Sequence, residues 1–302
     1  MIPIKLLGEA ALAHQAYRLA VAESGHVAAV ARQGEGTLLA PGDITGRALR
    51  LPEDWSDIAL SAAGGLLAVA TRRRMVVIAT GTSRRIYSLN DSVESVCFHD
   101  GVLWSAARWD EDSIAVEVRE PDTWKVLARE ELTDPFGDSF FYILPHPRRG
   151  RVAIWAAAGQ DGQCLFWAHR DGARISIDRF PGLDNTTWPS FTASGDRFLA
   201  IAGSCELRLY DFPSGPLRAT MPWPGYDHMR NQMGDFVFFV DDGRALVTSL
   251  DERLYLVNVE KMELAGEVSV PADLRYFAPL PGGEFLSVHN HGKLQRILRW
   301  SV

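Results

Sequence analysis

The stretch from Trp188 to Pro222, WPSFTASGDRFLAIAGSCELRLYDFPSGPLRATMP, contains one complete structural unit. Ser190 to Thr192 leads into the turn Ala193-Ser194-Gly195-Asp196, and the apolar run Arg197-Phe198-Leu199-Ala200-Ile201-Ala202 follows. Beyond the loop Gly203-Ser204-Cys205, residues Glu206 to Asp211 alternate polar and apolar, as a half-buried strand does. Phe212-Pro213-Ser214-Gly215 then supplies the Pro and Gly that a chain reversal uses, and Leu217 to Met221 makes a fourth strand.

The same plan recurs in both directions. Downstream it reappears around Asp241-Asp242-Gly243-Arg244 and Pro281-Gly282-Gly283, and upstream around Ser24-Gly25, Ala63-Gly64-Gly65, Asp100-Gly101 and Pro145 to Gly150. The turn glycines Gly25, Gly65, Gly101, Gly150, Gly195, Gly243 and Gly283 are spaced by roughly 40–45 residues, the length of a four-stranded propeller blade. One such sheet cannot bury both faces by itself, so several must stack side by side. The expectation is an all-β, seven-bladed β-propeller forming a single domain over 1–302. Its blades fall near 14–53, 55–89, 93–132, 139–183, 186–224, 235–271 and 274–302 plus 1–9. The last unit lacks a fourth strand of its own. Residues Ile2 to Leu7 are expected to supply it, because an open sheet edge would otherwise remain unpaired. Ala10 to Ala22 is Ala-rich and has helical character, but Tyr17 to Ala22 serves better as the first inner strand.

Composition points to an ordinary globular body, with 47% hydrophobic and 23% charged residues. No apolar run approaches the ~20 residues of a membrane span, and the N-terminus has no basic segment followed by a long apolar one. A cytoplasmic protein with no membrane association is the expectation. Cys97, Cys164 and Cys205 show no metal-like spacing and read as reduced thiols, Cys97 being a core residue. The net charge of −7 argues against general nucleic-acid binding, which rests largely on phosphate neutralisation.

Leu207-Arg208-Leu209-Tyr210-Asp211-Phe212-Pro213-Ser214-Gly215 resembles the third-strand signature of WD40 repeats, with Tyr210-Asp211 where that family has Trp-Asp. Leu256-Val257-Asn258-Val259 is an eroded version, and no Gly-His pair opens the units. The chain is thus similar to divergent WD40-like or YVTN-like propellers. That resemblance implies a rigid scaffold for protein interactions.

In such a fold, the loops joining second to third strands and fourth to next first strands share one face. The expected partner-binding residues on it are Arg72, Arg73, Arg74, Arg108, Trp109, Trp188, Tyr226, His228 and Arg230, rich in the types that dominate interface hot spots. Trp109, between Arg108 and Asp110 in a polar loop, is the leading anchor. Arg72 to Arg74 read as a solvated rim or as a contact for an anion or acidic peptide. Trp55 and Trp188 either plug gaps between blades or touch a ligand. His289-Asn290-His291, with His228, invites a metal reading, but Gly292 makes it a turn, so no metal or cofactor is expected. Inner strands such as Val96-Cys97-Phe98 repeat no polar position. A non-catalytic scaffold for a protein or peptide is therefore expected, as a subunit of a larger complex or an immunity-type protein. The alternative is a metal-dependent, lactonase-like hydrolase using Asp57, Glu94 and Asp235 near the axis.

Overall fold

The computed structural model describes residues 4–302 apart from 13, 42–45, 111, 159–161, 182, 184, 185, 187, 204, 214, 216, 225, 227–232, 281, 292 and 293; at 234, 235, 291 and 294 it describes the backbone only. The chain clusters into two compact units, one of residues 14–180 and one of residues 1–13 with 181–302.

The unit of residues 14–180 holds four antiparallel sheets, each built from four consecutive strands. They are β2 (Arg18–Val21), β3 (Val27–Val30), β4 (Glu35–Leu39) and β5 (Arg47–Arg50); then β6 (Trp55–Leu60), β7 (Leu66–Thr71), β8 (Met75–Ala79) and β9 (Arg84–Leu89). Next come β10 (Val93–His99), β11 (Val102–Arg108), β12 (Ser113–Arg119) and β13 (Val126–Thr133), followed by β14 (Phe140–Pro145), β15 (Arg151–Ala157), β16 (Gln163–Asp171) and β17 (Arg174–Arg179).

The second unit holds three such sheets. The first two are β18 (Ser190–Phe191), β19 (Arg197–Ala202), β20 (Glu206–Asp211) and β21 (Leu217–Pro222), then β22 (Met233–Asp241), β23 (Arg244–Ser249), β24 (Leu254–Asn258) and β25 (Glu263–Val268). The last comprises β26 (Leu274–Pro279), β27 (Glu284–His291) and β28 (Leu294–Ser301), with the N-terminal β1 (Lys5–Leu12) as its fourth strand, in the order β1-β28-β27-β26. The seven four-stranded sheets and the completion of the last by the N-terminal strand match the expected architecture.

One boundary differs. The sequence placed the closing strand at residues 2–7, whereas β1 runs to Leu12, with Ala10 opposite Ile297 and Leu12 opposite Gln295. Ala10 and Leu12 alternate inward at 6% and 1% exposure, so strand periodicity captures residues whose alanine content suggested a helix.

Burial follows strand rank within each sheet. The second strands β7, β11, β15 and β19 are buried along nearly their whole length, and β12 is buried throughout. By contrast β9 and β13, the outermost strands of their sheets, are largely exposed. Neighbouring sheets share apolar clusters. Trp104, Ile114, Phe141, Ile154 and Phe166 join the β10–β13 and β14–β17 sheets, while Phe277, Phe285, Trp300, Leu246 and Leu254 join the last two. Trp104 is fully buried, and such a side chain typically contributes about 3–5 kcal/mol against truncation to alanine.

In the second turn, Ala63-Gly64-Gly65, it is Gly64 that takes the left-handed conformation, at φ 71°. A Cβ there would stand 2.5 Å from the His26 ring, so both backbone and space demand glycine.

Candidate interaction face

Within the 14–180 unit the first strands of the four sheets lie side by side, and a ladder of polar contacts crosses them. Arg18 on β2 donates to Asp57 Oδ1 on β6 at 2.8 Å. Asp57 Oδ2 accepts from Ser95 Oγ at 2.6 Å and from the Val96 amide at 3.2 Å on β10, and Ser95 Oγ accepts from the Ile143 amide at 2.9 Å on β14. The Arg18 guanidinium also stands 5.8 Å from the Tyr142 ring centre. Burial, reinforced by the Asp57 charge, pushes the Cys97 thiol upward, which keeps it protonated and inert.

A second cluster lies where β10, β11 and β14 begin or end. Arg108 donates to Glu94 Oε1 at 2.7 Å, to Asp134 Oδ2 at 3.1 Å and to the Ser139 carbonyl at 2.7 Å. Glu94 Oε2 accepts from the Phe141 amide at 3.0 Å. Burial alone would raise the Asp134 carboxyl, but hydrogen bonds from Ser139, the Phe136 amide and Arg108 outweigh it and hold the group below its ordinary range. Burial likewise opposes charge on Arg108, and the Glu94 and Asp134 carboxylates overcome it and raise its value. These carboxylates and the guanidinium thus bind one sheet to the next.

Asp57 and Glu94, the residues offered to an axial metal by the hydrolase alternative, therefore have both oxygens engaged by neighbouring strands. The side chain of Asp235 lies outside the described residues. Among the described residues, no three His, Cys, Asp or Glu side chains converge as a metal centre requires.

The loop end of this unit carries the displayed residues. Antiparallel order places the links between second and third strands at the same end as the links between sheets. Trp109, in the β11–β12 link, is 59% exposed. Its position is fixed: its amide donates to the Ser113 carbonyl at 3.0 Å, and Asp110 Oδ1 accepts from the Asp112 amide at 2.9 Å and from Ser113 Oγ at 2.8 Å. The Arg129 guanidinium lies 3.9 Å from the indole centre, a cation–π contact of about 0.5–1 kcal/mol at an exposed site. Arg108 and Trp109, neighbours in sequence, thus part company, one turned into the inter-sheet cluster and the other outward.

Arg72, Arg73 and Arg74 occupy the β7–β8 link, Arg72 and Arg73 being exposed and Arg74 half-buried. The buried Thr71 hydroxyl accepts from the amides of Arg73 at 3.1 Å and Arg74 at 3.0 Å, which fixes the turn. Trp55, cross-strand from Thr71, donates its indole N–H to the Ala31 carbonyl at 2.9 Å and packs into the apolar cluster shared by the first two sheets. Tyr17, 55% exposed, meets Trp55 edge-on at 6.1 Å, and Arg32 lies 4.2 Å over the Tyr17 ring. Sequence reading passed over Tyr17, Arg32 and Arg18. The available signal was an aromatic or arginine directly before an apolar inner strand or in a link between strands.

Other expected residues lie in the second unit. Trp188 is half-buried just before β18. Tyr226 is 37% exposed, and its amide donates to the Trp223 carbonyl at 3.1 Å. His228 and Arg230 lie outside the described residues. His289 is 3% exposed, and its ring nitrogens pair with the Ala272 carbonyl at 3.1 Å and Ser287 Oγ at 2.7 Å. Burial holds its imidazole below the ordinary value. Those two bonds occupy the imidazole within its own sheet, and the side chain of His291 is outside the described residues.

No protein-family model matches the chain, and no curated protein does. Among solved structures it is similar to the β-propeller domain of Cps50 (Swd1) from Myceliophteria thermophila, at 13% identity, over 99% of this chain and 100% of that one, with a TM-score of 0.71. Together with the seven four-stranded sheets, this shows the fold to be a seven-bladed β-propeller.

Proposed function

We propose that the protein is a non-catalytic interaction scaffold that holds a protein or peptide partner on the loop end of its sheets, as a subunit of a larger complex or an immunity-type protein. The observation that carries this reading is Trp109, a large aromatic side chain 59% exposed on a turn that hydrogen bonds already hold in place. An aromatic anchor fixed before binding loses little conformational freedom when a partner covers it. Arg72 and Arg73 supply charge on the same end of the unit, and Trp188 and Tyr226 extend the set of contact residues in the second unit. The engagement of Asp57 and Glu94 in contacts between strands supports a scaffold over an axial hydrolase. A cytoplasmic location is part of the proposal.

The test is affinity purification of the tagged protein from its source cells. One stoichiometric protein partner is expected, lost in Trp109→Ala without a change in melting temperature, since the side chain contributes little to the core. A partner retained at full yield by both Trp109→Ala and Arg72→Glu/Arg73→Glu would refute this assignment of the binding surface.

A further inference from the structure

We infer that the edge of the loop face built by the first two sheets is a seat for an acidic peptide segment, formed by Arg32, Arg72, Arg73 and Arg74 around the Tyr17–Trp55 ledge. The inference rests on the scaffold reading and gives the partner a chemistry.

Three observations carry it. The first is charge without a counterpart. Many arginines in this acidic chain are paired with carboxylates, among them Arg18, Arg108, Arg119, Arg244 and Arg253. Arg32, Arg72, Arg73 and Arg74 have no carboxylate within ion-pair distance among the described residues. Glu53 and Asp54, exposed on the link before Trp55, offset only part of this charge.

The second is contiguity. Arg32 covers the Tyr17 ring at 4.2 Å, Tyr17 abuts Trp55, Trp55 is tied to Ala31 beside Arg32, and Thr71 lies across from Trp55 immediately before Arg72. Two hairpins and two strand starts thus form one surface, with an edge-on aromatic pair between cationic residues.

The third is rigidity. The Thr71 hydroxyl fixes the arginine turn, and the Trp55 N–H fixes the facing hairpin. Planar guanidiniums pair two-pronged with carboxylates, and an aliphatic or aromatic side chain can lie on the Tyr17–Trp55 pair. A chain of Asp or Glu residues around one apolar residue matches both features. A nucleic acid fits less well, because its affinity grows with the number of phosphates neutralised, and four arginines beside two carboxylates, in a protein of net charge −7, neutralise few.

The experiment is fluorescence anisotropy with a fluorescein-labelled decapeptide of alternating Asp and Glu around a central Leu. Controls are the same peptide with Asn and Gln in place of the acids, and a single-stranded oligonucleotide of equal charge. The expected result is binding of the acidic peptide only, weakened by added salt, and weakened about tenfold by Arg72→Gln/Arg73→Gln, the loss of two exposed charge pairs. Tyr17→Ala is expected to reduce the advantage of the central Leu over Gly. Circular dichroism confirms folding, and because Arg72 and Arg73 are exposed, the neutral glutamine changes leave the sheets intact. Absent binding, binding indifferent to the glutamine changes, or equal binding of the oligonucleotide would each overturn the inference. Such failure leaves the scaffold reading standing if a protein partner is still captured in a Trp109-dependent way.

Discussion

Arg108 and Trp109 sit on consecutive positions and do opposite things, because Arg108 ends β11 against the neighbouring sheet while Trp109 opens the turn that follows. Arg108 holds two carboxylates, of which Asp134 has a fully buried side chain. Replacing Arg108 with Met keeps the stem but leaves Asp134 and Glu94 facing each other without a cation. The expected cost is about 3 kcal/mol, read as a lower urea midpoint with an unchanged slope. Asp134 gives the cluster an acid dependence. Its folded value lies below the ordinary carboxylate value of 3.8, so in that interval the unfolded chain binds the proton that the folded chain does not. Its stabilisation is complete above 3.8 and drains away as pH falls through the folded value. Asp134→Asn should therefore lose stability at neutral pH and show a flatter stability profile from about pH 5 to about pH 2 than the unaltered protein. An unchanged profile would mean that the carboxyl is not held as the hydrogen bonds indicate.

At the scale of elements, the readable features were those written in consecutive residues. Unbroken apolar runs such as Phe198 to Ala202 and Leu67 to Ala70 mark the buried second strands, and Gly beside a short polar turn marks each reversal. Trp109 was legible for a related reason, a large apolar side chain inside a charged loop. The partnerships of Arg108 were not, since Glu94 and Asp134 reach it from 14 and 26 positions away on two other elements. The Tyr17–Trp55–Arg32 surface escaped similarly, being assembled from three separate segments. The extent of β1 was misread where alanine content competed with alternation. That strand carries its own prediction. Leu12 is 1% exposed near the end of β1, and Leu12→Ala should cost about 2–4 kcal/mol and raise amide exchange selectively along β28, its sole neighbour on that side. A uniform rise over all seven sheets would show that β1 is no more tied to β28 than to the rest.

For the whole molecule, the chain connectivity of the two units predicts an order of folding. Every strand of the 14–180 unit pairs with a sequence neighbour, as Arg108 does with Ile114 across the β11–β12 hairpin. The other unit includes the pairing of β1 with β28, where Lys5 meets Ser301 and nearly the whole chain lies between them. Closing a loop that long instead of a short hairpin costs about 3–4 kcal/mol more in chain entropy, because the cost rises with the logarithm of loop length. That difference is recovered only once β28 is itself in place on β27 to receive Gly8 through Leu12. Pairings between distant segments are also the slow ones in β proteins generally. Pulsed hydrogen exchange during refolding should therefore protect the amides of β11 and β12 early and those of Lys5 to Leu12 last. A synthetic peptide spanning residues 1–12, added in excess to a chain lacking them, should restore exchange protection in β28, since the receiving edge no longer has to wait for its own N-terminus. Protection of β1 in step with the β11–β12 hairpin would overturn this order, and would require β1 to be held near β28 in the unfolded chain.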